Sequence, residues 1–362
     1  MIENRLRSGI IRRYLSRLPV PKKAEIITLN EGNTPLIRLN TIANPALNIE
    51  VYAKLEGLNP TSSFKDRGMT VAVTMAAAEG SRAIICASTG NTSASAAAYA
   101  ARGGLSAFVV IPEGKIALGK LAQAMMHGAR VIQIEGNFDE GMSIVKKIPD
   151  TVPVTLVNSL NPYRLQGQKT AAFEIVDDLE RAPDFHFLPV GNAGNICAYW
   201  MGYSEYQDSG HISSRPIMVG CQASGAAPFV HGKPIACPET IATAIRIGRP
   251  QSWDRAVVAQ RESDGWFCKA TDEQILESQQ YLADQEGIFC EPASAVSVAG
   301  LRAEIKRGVI PNGSTVVCTL TGHGLKDPDI AVAQCHQTTM VQPDLDSVRD
   351  IILEATNLDS TA

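Results

Sequence analysis

One lysine of this sequence stands where its side chain could act as a nucleophile. Residues 51–55 alternate like a half-buried strand, and the apolar residues of 69–77 recur at helical spacing, so Lys65 falls near the first turn of a predicted helix. Free backbone N–H groups and the positive end of the helix dipole depress the pKa of an ammonium group there, and a neutral amine can attack a carbonyl. The same residues also fit an ordinary helix start, with Ser63 as the N-cap, Asp66 as a favourable acid and Lys65 in solvent.

A turn of hydroxyl and amide side chains follows the strand predicted at 82–87. Residues 88–92 read Ser-Thr-Gly-Asn-Thr and lead into a helix predicted at 91–102. Hydroxyls, an amide and a glycine-permitted turn at a helix N-terminus suit a carboxylate or another anion. A simple capped helix after a tight turn is the alternative.

A second turn, with two glycines, follows the apolar strand predicted at 185–190. Residues 191–195 read Gly-Asn-Ala-Gly-Asn and precede a helix whose Ile196, Trp200 and Tyr203 share one face. The glycines let backbone N–H groups turn inward around a phosphate, and the helix dipole favours its charge. The spacing matches neither G-x-G-x-x-G nor G-x-x-x-x-G-K-[ST], so it predicts a monophosphate rather than a dinucleotide or a nucleoside triphosphate.

A third strand, predicted at 314–320, also ends in a hydroxyl and glycines. The loop at 321–328 reads Thr-Gly-His-Gly-Leu-Lys-Asp-Pro. His323 could be an acid or base, but a histidine between two glycines is more often an ordinary loop residue. Thr321 is the hydroxyl at the strand end.

Arg164 is a further candidate, because it lies in the first turn of the helix predicted at 162–179. A positive charge is unhelpful to the helix dipole there, so a bound anion would explain the residue. A surface arginine paired with Glu174 or Asp177 is the alternative.

The elements that must position these residues alternate between strands and helices. Strands at 82–87, 107–111, 130–134 and 154–157 are separated by helices, and a second alternation runs from 162 to 320. This order predicts βαβ units, hence an α/β fold with parallel sheets and a ligand cleft at the carboxyl ends of the strands. Residues 222–270 carry Gly, Pro and Ser with little periodicity, which indicates a functional or interfacial segment.

The composition excludes several classes of function. The 362 residues, 45% of them apolar, suffice for two domains or one large one, and the net charge of −4 offers no footprint for nucleic acid or an anionic membrane. Eight cysteines without a C-x-x-C pair argue for a reducing cytosol and against a metal site. No apolar run reaches membrane-spanning length. The arginines of residues 1–23 would suit a transit peptide, but Glu3 favours an ordinary N-terminal helix.

Taken together, these motifs resemble those of the fold-type II pyridoxal-phosphate enzymes, and their wording is similar to that of the threonine synthases in the short form without the long plant N-terminal extension. The resemblance is spread over most of the chain, in residues 13–20, EGNTPL at 31–36, SSFKDRGM at 62–69, PETIATAIRIG at 238–248 and TGHGLKDP at 321–328. The last two stretches separate this family from its relatives. The resemblance implies a tryptophan synthase β-like fold of two parallel-sheet α/β domains with the cofactor between them. The large domain would comprise residues 1–66 and 158–362, and the small domain residues 67–157.

The resemblance also implies residue roles. Pyridoxal 5'-phosphate would be bound covalently to Lys65, which then moves protons, while Asn91 bonds the pyridine 3′-oxygen and Thr321 faces the pyridine nitrogen. The expected contacts of the cofactor phosphate are Gly191, Asn192, Ala193, Gly194 and Asn195. The expected contacts of the substrate carboxylate are Ser88, Thr89 and Thr92, and those of the substrate phosphate are Ser159, Arg164 and Asn192.

The implied reaction converts O-phospho-L-homoserine and water to L-threonine and phosphate, in a cytoplasmic homodimer without a metal, a membrane or a nucleic acid partner. A serine/threonine dehydratase or a β-replacing enzyme of the same fold is the nearest alternative, although serine or cysteine commonly faces the pyridine nitrogen there. A non-catalytic binding protein that keeps the pocket is a more distant one. A nicotinamide dehydrogenase lacks its fingerprint in this sequence.

Overall fold

Two sheets hold the strands of this chain in the computed structural model, which describes residues 8–42, 47–113, 118–136, 138–335 and 338–356. The larger sheet contains β1 Leu36–Leu39, β2 Glu50–Leu55, β7 Phe185–Pro189, β8 Ile217–Ala223, β9 Trp266–Ala270 and β10 Thr315–Leu320. The smaller contains β3 Ala83–Ala87, β4 Ser106–Pro112, β5 Arg130–Ile134 and β6 Val154–Leu156. The strand orders are β1-β2-β10-β7-β8-β9 and β5-β4-β3-β6, and of these described strands only β1 runs antiparallel to its neighbour. The predicted α/β class with parallel sheets is confirmed.

Helices connect the parallel strands and pack on the sheet faces. Residues 1–328 form one compact unit, whose described helices are α1 Gly9–Arg13, α2 Lys65–Ala78, α3 Asn91–Arg102, α4 Leu118–Met126, α5 Phe138–Lys147, α6 Pro162–Gln168, α7 Thr170–Leu179, α8 Gly194–Asp208, α9 Pro228–His231, α10 Trp253–Glu262, α11 Asp272–Glu286 and α12 Pro292–Lys306. Residues 329–362 form a second unit. Two helices follow α12: α13 Pro328–Gln334 and α14 Leu345–Thr356.

Each sheet has an inner strand that is buried along its whole length. Every residue of β3 and of β10 is buried, as expected for parallel strands covered by helices on both faces. On the larger sheet, Val296, Val298 and Leu301 of α12 belong to one core with residues of β7, β8 and β10. This packing fixes the strand ends from which the site loops start.

The strands of each sheet come from the part of the chain expected for one of the two predicted domains. All four strands of the smaller sheet fall inside residues 67–157, and those of the larger sheet fall in the two flanking ranges. The domain boundaries themselves stay a prediction.

The helix predicted at 162–179 is two helices, α6 and α7, with Lys169 between them. The Thr170 hydroxyl donates to the carbonyl of Gly167 at 2.6 Å and so competes for a backbone acceptor of the helix. Lys169 keeps helical dihedral angles, so the apolar spacing of the sequence shows no interruption.

The segment 222–270 contains regular structure that the sequence pattern did not predict. It includes α10 and the edge strand β9. In α10 the buried residues are only Ala256 and Ala259, and such small side chains give a weak periodic signal. Residues 243–247 of the remaining irregular part line the cavity described below.

The N-terminal region contains one short helix. Helix α1 has five residues and is followed by a single 3₁₀ turn, Leu15–Arg17. Gly9 has a φ of +74°, outside the right-handed helical region. The part of the N-terminal helix prediction that falls on residues 1–7 lies outside the described residues.

Candidate active site

Loops from the carboxyl ends of both sheets line one cavity of about 580 Å³. Its walls come from the start of α2 and from the loops after β3, β6, β7 and β10, where the sequence predicted a ligand cleft. The predicted site residues that line it are Lys65, Ser88, Thr89, Asn91, Thr92, Ser159, Gly191, Asn192, Ala193, Gly194, Asn195 and Thr321.

Lys65 is the first residue of α2 and lines this cavity. The pKa of its ammonium group is lowered to about 7, mainly by burial and also by the positive charge of Arg164, while the charge of Glu291 opposes the shift. Burial is the largest cause of this shift, whereas the sequence suggested the helix dipole. Lys65 is half-buried and lines the cavity instead of standing fully in solvent, and the amine can be neutral near pH 7.

The start of α2 is held against the loop after β10 by backbone hydrogen bonds. The N–H of Phe64 donates to the carbonyl of Thr321 at 2.9 Å, and the N–H of His323 donates to the carbonyl of Ser62 at 3.1 Å. Ser63 is not the N-cap, because Phe64 holds that position without a side-chain bond. These bonds fix the distance between Lys65 and Thr321.

Asp66 ties α2 to its surroundings instead of lying at the surface. It is fully buried and accepts from the Thr61 N–H at 2.6 Å, from the Thr61 hydroxyl at 2.5 Å and from the Ser95 hydroxyl of α3 at 2.6 Å. Burial raises the pKa of Asp66 to about 6, and these hydrogen bonds oppose the rise.

Arg67 is the centre of a buried ion network beneath the lysine. Its Nε donates to Glu56 at 2.7 Å and its Nη2 to Glu174 at 2.5 Å, and Lys54 lies 3.1 Å from Glu174. The charges are paired and hydrogen-bonded, which is the condition for burying them. Through Glu174 the network ties the first turn of α2, which contains Lys65 and Arg67, to α7 and to Lys54 of β2.

Thr321 lines the cavity directly after β10, and its hydroxyl is paired. The hydroxyls of Thr321 and Ser294 are 3.0 Å apart, and the N–H of Gly322 donates to Ser294 Oγ at 2.8 Å. Ser294 belongs to the first turn of α12. The Thr321 hydroxyl is therefore held in place by a second element.

Asn91 makes a contact that sequence reasoning did not predict. Its Nδ2 donates to both carboxylate oxygens of Glu291, at 3.2 and 3.1 Å. Burial raises the pKa of Glu291 to about 7, whereas the Asn91 hydrogen bond and the charges of Lys326 and Lys65 lower it, and Asp327 raises it. The simple-cap alternative for this turn is wrong, because Gly90 holds the N-cap position of α3 without a side-chain bond.

The glycine loop after β7 fits a monophosphate. Ala193 has a left-handed φ of +64°, and α8 begins at the next residue with unpaired backbone N–H groups in its first turn. The Oδ1 atom of Asn195 accepts from Gln168 at 3.0 Å, while its buried Nδ2 has no hydrogen-bond partner among the described residues. A phosphate oxygen would satisfy such donors.

The loop after β6 brings Ser159 to the cavity but leaves Arg164 behind it. Arg164 is 1% exposed and is absent from the cavity lining, with Nη1 donating to the carbonyl of Val157 at 2.9 Å and Nη2 to Gln168 at 3.4 Å. Its Nε has no hydrogen-bond partner among the described residues. Burial lowers the pKa of this guanidinium to about 10.

The alternative of a surface arginine paired with Glu174 or Asp177 is wrong. Glu174 pairs with Arg67, and Asp177 pairs with Arg13 at 2.8 Å. His323 is absent from the cavity lining, and its Nδ1 accepts from the N–H of Leu325 at 3.2 Å, which fits the loop residue expected from the sequence.

Several cavity residues escaped sequence reasoning. Glu291 precedes the Pro292 that begins α12, and Gln123 lies on α4. A carboxylate before a helix-starting proline looks like an ordinary helix N-terminus. Only Lys326 carried a usable signal, since it lies inside the TGHGLKDP stretch.

The fold and the lysine-bearing cavity match one class of enzyme. A family model described as "Pyridoxal-phosphate dependent enzyme" matches residues 27–322. The structure of maize serine racemase superimposes with a TM-score of 0.70 at 18% identity, over 90% of this chain and 93% of the racemase. The fold is that of the fold-type II pyridoxal-phosphate enzymes.

Curated relatives narrow the class. A threonine synthase of Synechocystis sp. is 56% identical over 94% of this chain and 89% of its own length. A threonine synthase of Mycobacterium tuberculosis is 58% identical over 93% of both chains. The chain belongs to the pyridoxal-phosphate-dependent enzymes and, among them, to the threonine synthase family. The resemblance seen in the motifs is thereby confirmed.

Proposed function

We propose that this chain converts O-phospho-L-homoserine and water to L-threonine and phosphate. The observation that carries the proposal is Lys65, whose pKa burial lowers to about 7 in a cavity with a monophosphate-sized loop. Bound pyridoxal phosphate supplies an electron sink for carbanion chemistry at the substrate's Cα. The residues of the chain bind, orient and move protons around it.

Several described residues of the cavity suit a bound pyridoxal phosphate. The N–H groups at the start of α8 and the unpartnered Nδ2 of Asn195 suit the cofactor phosphate. Asn91 would donate to the ring 3′-oxygen, and Thr321, held by Ser294, would face the ring nitrogen. A neutral hydroxyl cannot hold a full positive charge on that nitrogen as a carboxylate would.

Lys65 is the proton carrier of this proposal. Its neutral amine takes a proton from Cα, releases it, and then takes one from Cβ of the substrate as phosphate leaves from Cγ. Protons return to Cγ and Cα, and water adds its hydroxyl at Cβ. A base with a pKa of about 7 suits both directions of proton transfer at neutral pH.

The substrate-facing residues complete the site. Ser88, Thr89 and Thr92 lie at the start of α3, where hydroxyls and the helix dipole suit the carboxylate. Ser159 and Asn192 line the cavity and would bind the substrate phosphate. Arg164 lies behind the 158–161 loop and would add positive charge to the substrate-phosphate site from there. Its hydrogen bond to the carbonyl of Val157 holds the guanidinium in this position.

The reaction is tested with purified enzyme and O-phospho-L-homoserine. We expect equimolar threonine and phosphate, and no activity in Lys65→Ala. Formation of 2-oxobutyrate or pyruvate from threonine or serine, without phosphate release from the phosphorylated substrate, would instead identify a dehydratase.

We further propose a homodimer in the cytoplasm. No helix among the described residues is long and apolar enough to cross a membrane. Six of the eight cysteines are buried as free thiols, which suits a reducing compartment. Light scattering across a concentration series tests the dimer, and fractionation of cells tests the location.

A further inference from the structure

Glu291 is a buried carboxylate of the cavity wall to which the proposed reaction assigns no task. Its side chain is 4% exposed, and both of its oxygens accept from the same atom, Nδ2 of Asn91. Burying a carboxylate costs free energy unless its partners compensate. The charges of Lys65 and Lys326 act on it through space and favour its ionised form.

The surrounding backbone is shaped to admit this carboxylate. A Cβ atom on Gly322 would lie 2.5 Å from Oε1 of Glu291, so any larger residue would displace the side chain. The Glu291 N–H donates to the carbonyl of the same Gly322 at 3.1 Å. The glycine that follows Thr321 thus leaves the space that Glu291 fills.

An ionised carboxylate constrains the amide that it contacts. It is a hydrogen-bond acceptor only, so it selects the Nδ2 end of the Asn91 amide over the Oδ1 end. One N–H of Nδ2 can serve both oxygens of Glu291, which leaves the second N–H for another acceptor. Without the carboxylate the two ends of the amide could exchange places.

We propose that Glu291 is a positioning residue that fixes the Asn91 amide with its second N–H turned toward the 3′-oxygen of the cofactor. The inference rests on the role proposed above for Asn91. Glu291 acts through Asn91 in this arrangement and not on the cofactor itself. Its removal and the removal of Asn91 should therefore have one common effect.

A double-mutant cycle on the cofactor complex tests this. The dissociation constant of pyridoxal phosphate is measured by equilibrium dialysis for Glu291→Ala, Asn91→Ala and the double variant. We expect each single change, and the double change, to weaken binding by about tenfold, the loss of one hydrogen bond to a charged group. Each should also shift the absorption of the bound cofactor to shorter wavelength, because a ring oxygen without its donor is protonated more readily.

Two further variants separate positioning from folding. Glu291→Gln keeps the volume and one acceptor but adds a donor that can also pair with Oδ1 of Asn91, so its dissociation constant should lie between those of the wild type and Glu291→Ala. Glu304→Ala removes another buried carboxylate of α12 that is absent from the cavity lining, and it should leave both the affinity and the spectrum unchanged.

A roughly hundredfold loss in the double variant would overturn the inference, because the two residues would then act independently. So would an unchanged affinity and spectrum in Glu291→Ala. If Asn91→Ala is also without effect, the proposed role of Asn91 fails too. The reaction with O-phospho-L-homoserine is assayed separately on the wild type, so its failure is distinguishable from either result.

Discussion

Lys326 and Gln123 are joined across the cavity by a hydrogen bond of 2.5 Å from Nζ to Oε1. Lys326 belongs to the loop after β10 of the larger sheet, and Gln123 lies on α4, which follows β4 of the smaller one. Gln123 is a neutral acceptor, so the contact does not cancel the positive charge of Lys326. Burial lowers the pKa of Lys326, while the charges of Glu291 and Asp66 raise it.

Replacing Lys326 should weaken binding of the phosphorylated substrate. We expect Lys326→Gln to raise KM for O-phospho-L-homoserine by about tenfold, because a partly desolvated charge–phosphate contact is lost. Steady-state phosphate release measures it. Lys22→Gln, an exposed lysine away from the cavity lining, is the control. An equal KM in both variants would show that Lys326 does not attract the substrate.

The depressed pKa of Lys65 should be visible in the cofactor-free protein. A protonated amine is not a nucleophile, so the labelling rate of Lys65 by an amine-reactive reagent should rise about tenfold per pH unit up to about 7 and level off above it. Peptide mapping by mass spectrometry gives the rate for each lysine. A midpoint near that of an exposed lysine such as Lys22 would contradict the pKa shift.

Arg164 should affect both substrate and lysine. Arg164→Ala should raise KM for O-phospho-L-homoserine by at least tenfold and leave the absorption spectrum of the bound cofactor intact. Because the charge of Arg164 lowers the pKa of Lys65, the labelling midpoint of Lys65 should move to higher pH in this variant. An unchanged KM would show that the substrate phosphate lies elsewhere in the cavity.

Breaking the Arg67 network should destabilise the fold. Arg67→Ala leaves Glu56 and Glu174 buried without their main cation and should cost about 3–5 kcal/mol of unfolding free energy. Arg38→Ala, which breaks the exposed pair with Glu50, should cost less than about 1 kcal/mol. Urea unfolding measures both. Similar losses in the two variants would contradict the network's importance.

The pH dependence of stability should follow from the same network. Although burial alone would raise it, the charges of Arg67 and Lys54 hold the pKa of Glu174 well below its usual range. A depressed pKa stabilises the fold above the unfolded-state pKa of about 4.3 and loses that contribution as the pH falls. The unfolding free energy of Arg67→Ala, measured by urea unfolding at several pH values, should therefore fall less than that of the wild type as the pH is lowered.

Gly167 permits α6 to cross α2 closely. A Cβ atom there would lie 1.8 Å from the carbonyl oxygen of Arg67. Gly167→Ala must therefore push α6 away from α2, the helix that begins with Lys65. We expect a loss of about 1–3 kcal/mol or more and weaker cofactor binding. Gly141→Ala in α5 meets the ends of the Ile134 and Val110 side chains and no backbone atom, so it should cost much less. Thermal unfolding compares the two.

The sequence predicted much of the fold because its central strands are buried on both sides. Strand β5 and helix α3 have the predicted bounds, and the strands predicted at 51–55, 82–87, 107–111, 154–157, 185–190 and 314–320 differ by one residue at one or both ends. Edge strand β9 and the alanine-faced α10 were missed, since neither presents a continuous apolar pattern.

The site was predicted where its residues follow strands locally, and missed where contacts are long-range. Asn91 and Glu291 are 200 residues apart, and no local pattern connects them. The burial of Arg164 likewise depends on where Val157 and Gln168 meet in space. Sequence spacing identifies the ends of elements but not which side chains will touch.

The bond between Phe64 and Thr321 gives the site an order of assembly. Strand β10 lies between β2 and β7, so the larger sheet has a gap until its last strand is inserted. On the ribosome, the lysine is synthesised early, but the loop that holds it emerges only after residue 320. A chain that ends before β10 therefore lacks the Thr321 carbonyl that accepts from the Phe64 N–H, and the first turn of α2 is without this support.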